Sequence, residues 1–161
     1  MKLRVTAFPL PYFRAAFKIA LGLQVIGAEM DPFDYVDLMF DSQGDIKTFA
    51  DTANDEELVN YIADLTATSL SVNKADFING MNDANLDWST RVAWKYGCSL
   101  GANATPTTYM NRVFFGDDSI SRYTLEDWKN VIDPMLDNRS QGSRTFFAQN
   151  IKYMLLFALV L

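Results

Sequence analysis

The chain carries its strand-forming residues at two widely separated places, and helical periodicity fills the sequence between them. Residues 2–8 alternate apolar and polar side chains, which predicts a strand that ends at the following prolines. The next strand pattern comes at 107–110, with a tight turn and a return strand at 113–115. Any sheet must therefore join distant segments. The order strand, helices, hairpin, helix and apolar tail predicts a layered α/β or α+β domain.

Apolar residues recur at helical spacing from about residue 12 to residue 100. The pattern predicts five helices, over 12–26, 32–40, 54–66, 73–81 and 83–100. Asn54 followed three residues later by Glu57 predicts a capping box at the start of the third helix. The Ser42-Gln43-Gly44 run is expected to end the second helix without starting another.

A last amphipathic helix is predicted over 125–136, with Thr124 as its N-cap. Its apolar side carries Trp128 and Ile132, which we expect to be buried against the hairpin formed by 107–110 and 113–115. The polar run at 138–143 that follows this helix is typical of a linker.

Composition excludes several classes of chemistry. The chain has 161 residues, 14 Lys and Arg against 20 Asp and Glu, and a net charge of −6, so it lacks the basic footprint of a nucleic-acid partner. It has no His, which excludes an imidazole base and zinc sites with His ligands. Its one Cys excludes an intrachain disulfide and a Cys-rich metal site, so we expect no metal and no cofactor. We interpret Cys98 as a packing or bystander thiol that is a candidate free thiol only.

Three acidic runs are the remaining candidate ligands or acid–base groups. They are Asp55-Glu56-Glu57, Asp117-Asp118 and Glu126-Asp127. Their positions favour the first turns of helices and a solvated loop, where the helix dipole or water accommodates negative charge.

The step from Thr105 to Pro106 lies between a long helix and a strand and calls for a sharp change of chain direction. A cis peptide bond would make this change, because an X-Pro bond adopts the cis form at a cost of only about 0.5–1 kcal/mol. The functional interpretation is a peptide-binding edge at Thr105 and Pro106. Spacing alone favours the alternative, an ordinary trans turn.

Three ordered stretches resemble a known family. Residues 95–101, then Ala104-Thr105-Pro106-Thr107 and Asn111, are similar to the cis-proline loop region of DsbA-like thioredoxin-fold proteins. Residues 8–12 with Ala16 and Phe17 resemble the passage into the helical insertion of eukaryotic members, and 124–136 resembles their last helix. The resemblance implies a thioredoxin-like α/β fold over 1–137, with a large inserted helical subdomain over about 12–100. It also implies a family activity of thiol–disulfide exchange. Together with the change of chain direction, the resemblance leads us to expect a cis peptide bond at Thr105–Pro106.

The chain departs from that family at the redox motif. The family's Cys-x-x-Cys follows its first core strand, and both are absent from this sequence. In the family, that strand lies between the strands that match 3–7 and 107–110. Either the sequence is N-terminally incomplete, or another segment fills the gap. The first alternative implies an active oxidoreductase whose Cys-x-x-Cys segment is missing here. The second implies a non-catalytic remnant or a module that binds a peptide or protein at the cis-proline edge, so enzymatic activity stays open.

The chain ends in nine apolar residues, 153–161, within a C-terminal region over 138–161. Nine residues are too few for a spanning helix, which needs about 17–25, so we do not expect a membrane span. We expect the tail to dock on an outer face, because insertion between two strands would require them to stay apart until the tail arrives. The further alternative, that the chain is a membrane-tethered structural protein, depends on the tail alone.

Localisation is left unassigned by the sequence. The N-terminus has no signal-peptide pattern, while sequons at Asn103 and Asn138 are weak support for the secretory history that the resemblance permits.

Overall fold

A computed structural model describes residues 3–27, 30–110, 112–116, 122–137 and 154–157. Within them the chain is mixed α/β and mostly helical, with seven helices and four strands. It divides into two compact units. We call residues 7–103 the helical unit. The sheet unit comprises the described residues up to Thr6 and those from Ala104 to 157.

Six helices make up the described part of the helical unit. They are α1 (Ala16–Ile26), α2 (Pro32–Asp41), α3 (Gln43–Ala50), α4 (Asp55–Leu70), α5 (Lys74–Met81) and α6 (Ala84–Ser99). Five of these correspond to predicted helices, and α3 does not. The expectation that Ser42-Gln43-Gly44 only ends a helix is wrong, because α3 begins directly after Ser42, with Gly44 exposed in its first turn. One glycine near a helix start costs only about 0.5–1 kcal/mol relative to alanine, which packing of Ile46 and Ala50 can offset.

Polar side chains cap the starts of four of these helices, α2, α4, α5 and α6, whereas α1 and α3 have no side-chain cap. The Asn54 side chain accepts from the Glu57 backbone N–H at 2.9 Å, and the Asn54 N–H donates to the Glu57 carboxylate at 2.7 Å, which confirms the predicted capping box. The side chains of Asn73 and Asp83 accept from backbone N–H groups at the starts of α5 and α6 and so cap these helices. These contacts satisfy backbone donors that a helix start otherwise leaves unpaired.

The core of the helical unit forms around α1. Ile19, Tyr35, Leu58 and Ile62 are fully buried in it. The Tyr35 hydroxyl donates to the Ile19 carbonyl at 3.3 Å, so the one polar atom on this large ring has a partner. Desolvation by burial also raises the pKa of Tyr35. Every residue of this core belongs to the helical unit.

The sheet unit has a four-stranded mixed sheet. Its strands are β1 (Leu3–Thr6), β2 (Thr107–Met110), β3 (Val113–Phe115) and β4 (Met154–Phe157), in the spatial order β1-β4-β2-β3. The antiparallel hairpin of β2 and β3 has the predicted bounds, with Tyr109 opposite Phe114. Arg112 adopts the left-handed conformation with φ 69° in the hairpin turn, while the predicted turn partner Asn111 lies outside the described residues.

Strand β4 occupies an inner position of the sheet. It runs parallel to β1, with Val5 in register with Leu156, and antiparallel to β2, with Thr108 in register with Leu156. The expectation that the tail docks on an outer face is therefore wrong. The need for β1 and β2 to stay apart until the tail arrives does not prevent insertion here, because the two strands are far apart in sequence and neither pairs with the other. A strand between them gives partners to backbone groups on both, and unpaired groups would cost about 1–3 kcal/mol each if buried.

The last helix, α7 (Leu125–Asp137), packs less deeply than its pattern predicts. The Trp128 ring lies 6.2 Å from Phe115 and 5.2 Å from Tyr123, measured between ring centroids. Trp128 and Ile132 are half-buried, not fully buried, and Leu125 is 77% exposed. The predicted contact between helix and hairpin is present, whereas the predicted burial is wrong, because β3 has only three residues and offers little surface to cover the helix.

No helix among the described residues is both long and apolar enough to cross a membrane. The predicted linker over 138–143 and the ends of the apolar tail lie outside the described residues.

Candidate functional site

The chain reverses direction sharply where α6 ends. The Gly101 N–H donates to the Cys98 carbonyl at 2.9 Å, and the Ala102 N–H donates to the Gly97 carbonyl at 3.1 Å. Gly101 has φ 88°, in the left-handed region where a side chain is disfavoured. This glycine turn satisfies the last carbonyls of α6 and starts the segment that leads towards β2.

Residues 104–107 form what we call the cis-proline loop. The Thr105–Pro106 peptide bond is cis, as the sequence predicts. The Thr107 hydroxyl donates to the Ala104 carbonyl at 2.5 Å, which closes the loop around that bond. Pro106 is exposed and Thr105 is half-buried, while Thr107 is 8% exposed. The loop therefore presents accessible backbone and passes directly into a buried strand.

Strand β2 anchors this loop in the sheet. Thr108 and Tyr109 are each 1% exposed, and Tyr109 makes an edge-to-face contact with Phe114 at 6.0 Å between centroids. Burial raises the pKa of the Tyr109 phenol. The Thr108 hydroxyl is buried and has no hydrogen-bond partner among the described residues. Sequence reasoning missed this orphan hydroxyl, since nothing in a Thr-Thr-Tyr-Met run tells which threonine is paired.

The third predicted site residue, Cys98, lies on α6 in the helical unit. It is free and exposed. The interpretation as a packing residue is therefore wrong, and the bystander interpretation stays. An exposed thiol near a helix end is favoured here because the adjacent Gly97, not Cys98, lies on the buried side of α6.

The acidic runs hold no metal cluster within the part of the chain that the structure describes. Asp55, Glu56 and Glu57 occupy the first turn of α4, as predicted, and Glu126 and Asp127 occupy that of α7. The Asp117-Asp118 run lies outside the described residues.

Two surface cavities lie within the helical unit. One, of about 130 Å³, has Arg14 and Lys47 at its rim, but the Arg14 guanidinium is already bonded to the Ala50 carbonyl at 2.8 Å. The other, of about 440 Å³, includes Glu57, which serves the helix cap. The Arg14 guanidinium and the Glu57 carboxylate therefore already serve structural contacts.

Comparison of this chain with protein-family models, with curated proteins and with solved structures gives no significant match. The assignment of a function therefore depends on the geometry of the sheet and of the cis-proline loop.

Proposed function

We propose that this chain is a thioredoxin-like protein of the DsbA-related kind that has no dithiol chemistry of its own. In this proposal it binds an extended peptide or protein segment along the cis-proline loop. Thr105 and Pro106 supply the contact surface, and the sheet supplies a rigid support for it.

The observation that carries the proposal is the sheet order. The resemblance implies a strand between those that match residues 3–7 and 107–110, and β4 lies between β1 and β2. In this proposal β4 fills the gap that the absent redox strand would leave. A filled sheet supports a folded binding module better than a remnant with two unpaired strands.

The surroundings of the loop support peptide binding. Extended peptides are commonly bound through main-chain hydrogen bonds at an accessible strand edge or end, with side chains adding specificity. Residues 103, 104 and 106 are exposed, and the chain then enters buried β2. An accessible backbone segment on a fixed strand is what this mode of recognition requires.

The thiol content supports a non-catalytic function. A dithiol cycle needs an attacking thiolate and a second thiol that resolves the mixed disulfide. This chain has one Cys and no His, and Cys98 is on the helical unit. We expect no insulin-reducing turnover with glutathione, and turnover that persists in Cys98→Ser would contradict this chemistry.

The alternative is an active oxidoreductase whose Cys-x-x-Cys segment lies outside this sequence. That segment would bring its own strand to the position between β1 and β2, which residues 154–157 occupy here. The occupied position supports the binding module over the oxidoreductase. Reading the transcript upstream of Met1 distinguishes them, because a strand pattern followed by Cys-x-x-Cys in frame would favour the oxidoreductase.

Peptide binding is tested with a fluorescently labelled, reduced and carboxymethylated unfolded protein as the probe. Thr105→Arg places a bulky charge on the half-buried loop residue and should weaken binding about tenfold or more, the size of a lost hot-spot contact. Thr68→Arg is the matched control, since it adds the same group at an exposed position on α4. Equal affinity of both variants, or no binding by the native chain, would contradict the proposal.

A further inference from the structure

Helix α2 has two rows of exposed side chains on its outer side. Tyr35 and Met39 are fully buried and define its inner side. At about 100° per residue, the opposite side carries an acidic row and, next to it, an aromatic row. The acidic row consists of Asp34, Asp37 and Asp41, and the aromatic row consists of Phe33 and Phe40. We call these five residues the α2 face.

The aromatic row lies outside the core. Phe33 and Phe40 are 50% and 39% exposed, and neither belongs to the core of the helical unit or to the side chains packed on it. Two helical turns separate the rings, a rise of about 10 Å, and half-buried Val36 lies between them. One exposed ring is ordinary on a protein surface, but two on one helix face form an apolar row that a partner can cover.

No ion pair among the described residues neutralises the acidic row. The ion pairs of this part of the chain use other carboxylates, those of Asp55, Asp64 and Asp87. The dipole of α2 accounts for Asp34 in its first turn, but not for Asp37 in the middle of the helix. Like charges three or four residues apart destabilise a helix, and Asp37 has such a neighbour on each side. The helix therefore carries a charge pattern that works against its own folding.

The length and sign of the acidic row limit what can cover the α2 face. The row extends about 10 Å along the helix axis, too far to surround one metal ion, and no metal-ligating cluster of three side chains occurs among the described residues. Nucleic-acid phosphates and anionic lipid surfaces carry the same sign of charge as the row and would be repelled. A second α2 face would place two acidic rows against each other. The face is complementary to a cationic partner that also carries apolar side chains.

We propose that the α2 face binds a basic amphipathic helix of a partner protein. Lys or Arg side chains at helical spacing on the partner lie along the acidic row, and neighbouring apolar side chains cover Phe33 and Phe40. A helix supplies both rows at the required spacing, because it rises by the same distance per residue as α2. Helix α2 has only 10 residues, so the contact is small and binding is weak and salt-dependent. This inference stands independently of peptide binding at the cis-proline loop.

Fluorescence anisotropy with a labelled model peptide tests the charge recognition. The probe is an amphipathic helix of about 18 Leu and Lys residues, and its control peptide has Glu in place of Lys. The native chain should bind the Lys peptide, more weakly as salt rises, and should not bind the Glu peptide. Asp37→Lys should weaken binding about tenfold or more, and Asp133→Lys is the matched control, since it makes the same change at an exposed position on α7. No binding by the native chain, or equal weakening by both variants, would overturn the proposal.

Thermal unfolding separates lost recognition from lost folding. Asp37→Lys replaces two like-charge pairs on α2, with Asp34 and with Asp41, by pairs of opposite charge. Its unfolding temperature should therefore equal or exceed that of the native chain, while its affinity for the Lys peptide falls.

Truncation of one ring tests the aromatic row. Phe33→Ala should weaken binding of the Lys peptide about tenfold, the size of a lost hot-spot contact. Trp88→Ala is the matched control, because Trp88 is a 67% exposed ring on α6 and its removal should leave the affinity unchanged. An affinity of Phe33→Ala equal to that of the native chain would overturn the proposal.

Discussion

The helical unit and the sheet unit differ in how far apart their contacting residues lie in sequence. The described part of the helical unit lies within one stretch, 7–103, and has its own core and its own helix caps. The sheet unit joins β1 at one end of the chain, the hairpin and α7, and then β4 near the other end. Local contacts form at a small cost in chain entropy, whereas distant strands must first close long loops. Damage to β4 should therefore affect the sheet unit first, and damage to the helical core should affect the helical unit.

Removal of β4 is the largest expected perturbation of the sheet unit. Deleting residues 151–161 removes four registered pairs with β1 and four with β2. Each backbone hydrogen bond contributes about 0.5–1.5 kcal/mol net, so losing the pairing on both sides of an inner strand should cost far more than losing any single hydrogen bond of the sheet unit. Amide hydrogen exchange of 107–110 should become fast, while the amides of α4 stay protected.

Leu156→Pro tests with a single substitution whether β2 depends on its pairing with β4. Proline removes a ladder N–H from an inner strand and should expose the β2 amides in the same way. Leu156→Val keeps the N–H and is the control. Slow exchange at 107–110 in the proline variant would show that β2 does not depend on β4.

Truncation of the buried tyrosine is the matching perturbation of the helical unit. Tyr35→Ala should reduce the free energy of unfolding by about 3–5 kcal/mol, as for other large core rings. Urea unfolding followed by circular dichroism at helical wavelengths measures it. Tyr35→Phe removes only the bond to the Ile19 carbonyl and should cost about 0.5–1.5 kcal/mol. Similar losses in the two variants would mean that the hydrogen bond, not the packing, holds this position.

Alanine substitutions at two glycines of the helical unit should change the free energy of unfolding in opposite directions. A Cβ at Gly22 would overlap the Tyr35 hydroxyl and lie 2.9 Å from its Cζ, so Gly22→Ala should destabilise by about 1–3 kcal/mol despite the better helix propensity of alanine. Gly44 has no atom within 4 Å of such a Cβ, and Gly44→Ala should stabilise by about 0.4–1 kcal/mol. Thermal unfolding of both variants measures the difference. A stability change in the same direction in both variants would contradict the close approach of α1 to the Tyr35 ring.

The smallest expected effect is at the start of α7 and depends on pH. The hydroxyl and backbone N–H of Thr124 donate to the Asp127 carboxylate at 2.7 and 2.8 Å, and these bonds lower its pKa below the ordinary value of 3.8. A lowered folded-state pKa gives a stabilising contribution that is complete above the ordinary value and is lost as the pH falls through the lowered one. Carboxyl chemical shifts should titrate below 3.8, and in Thr124→Ala the Asp127 midpoint should rise. An unchanged midpoint would mean that the cap does not cause the shift.

The features that the sequence predicts correctly are those fixed by neighbouring residues. The capping box of Asn54 and Glu57 needs two residues three apart, and the hairpin of β2 and β3 needs one turn. The cis bond at Thr105–Pro106 is also confirmed, although spacing alone favours a trans turn there. Helix α3 was missed because Ser42 and Gly44 have low helix propensity, and packing of Ile46 overrides it.

The features that the sequence does not fix depend on distant partners. The apolar run that contains 154–157 fits a helix or a strand equally well, so only its pairing with β1 and β2 selects a strand at an inner position. The half-burial of Trp128 depends on how much surface the hairpin offers, which the amphipathic pattern of α7 does not encode. The orphan hydroxyl of Thr108 likewise becomes visible only when its neighbours across the sheet are known.

The inner position of β4 is the central claim, and engineered disulfides test it most directly. In a Cys98→Ser background, Leu156→Cys is combined either with Val5→Cys or with Thr108→Cys, its register partners on the two sides. Adjacent strands lie about 4.7–4.9 Å apart, within the range that a disulfide bridges, whereas Leu156→Cys with Phe115→Cys spans two strand spacings and is the negative control. Both register pairs should form a disulfide on mild oxidation and the control should not. A disulfide with only one side, or with neither, would place β4 outside the gap between β1 and β2 and contradict the account.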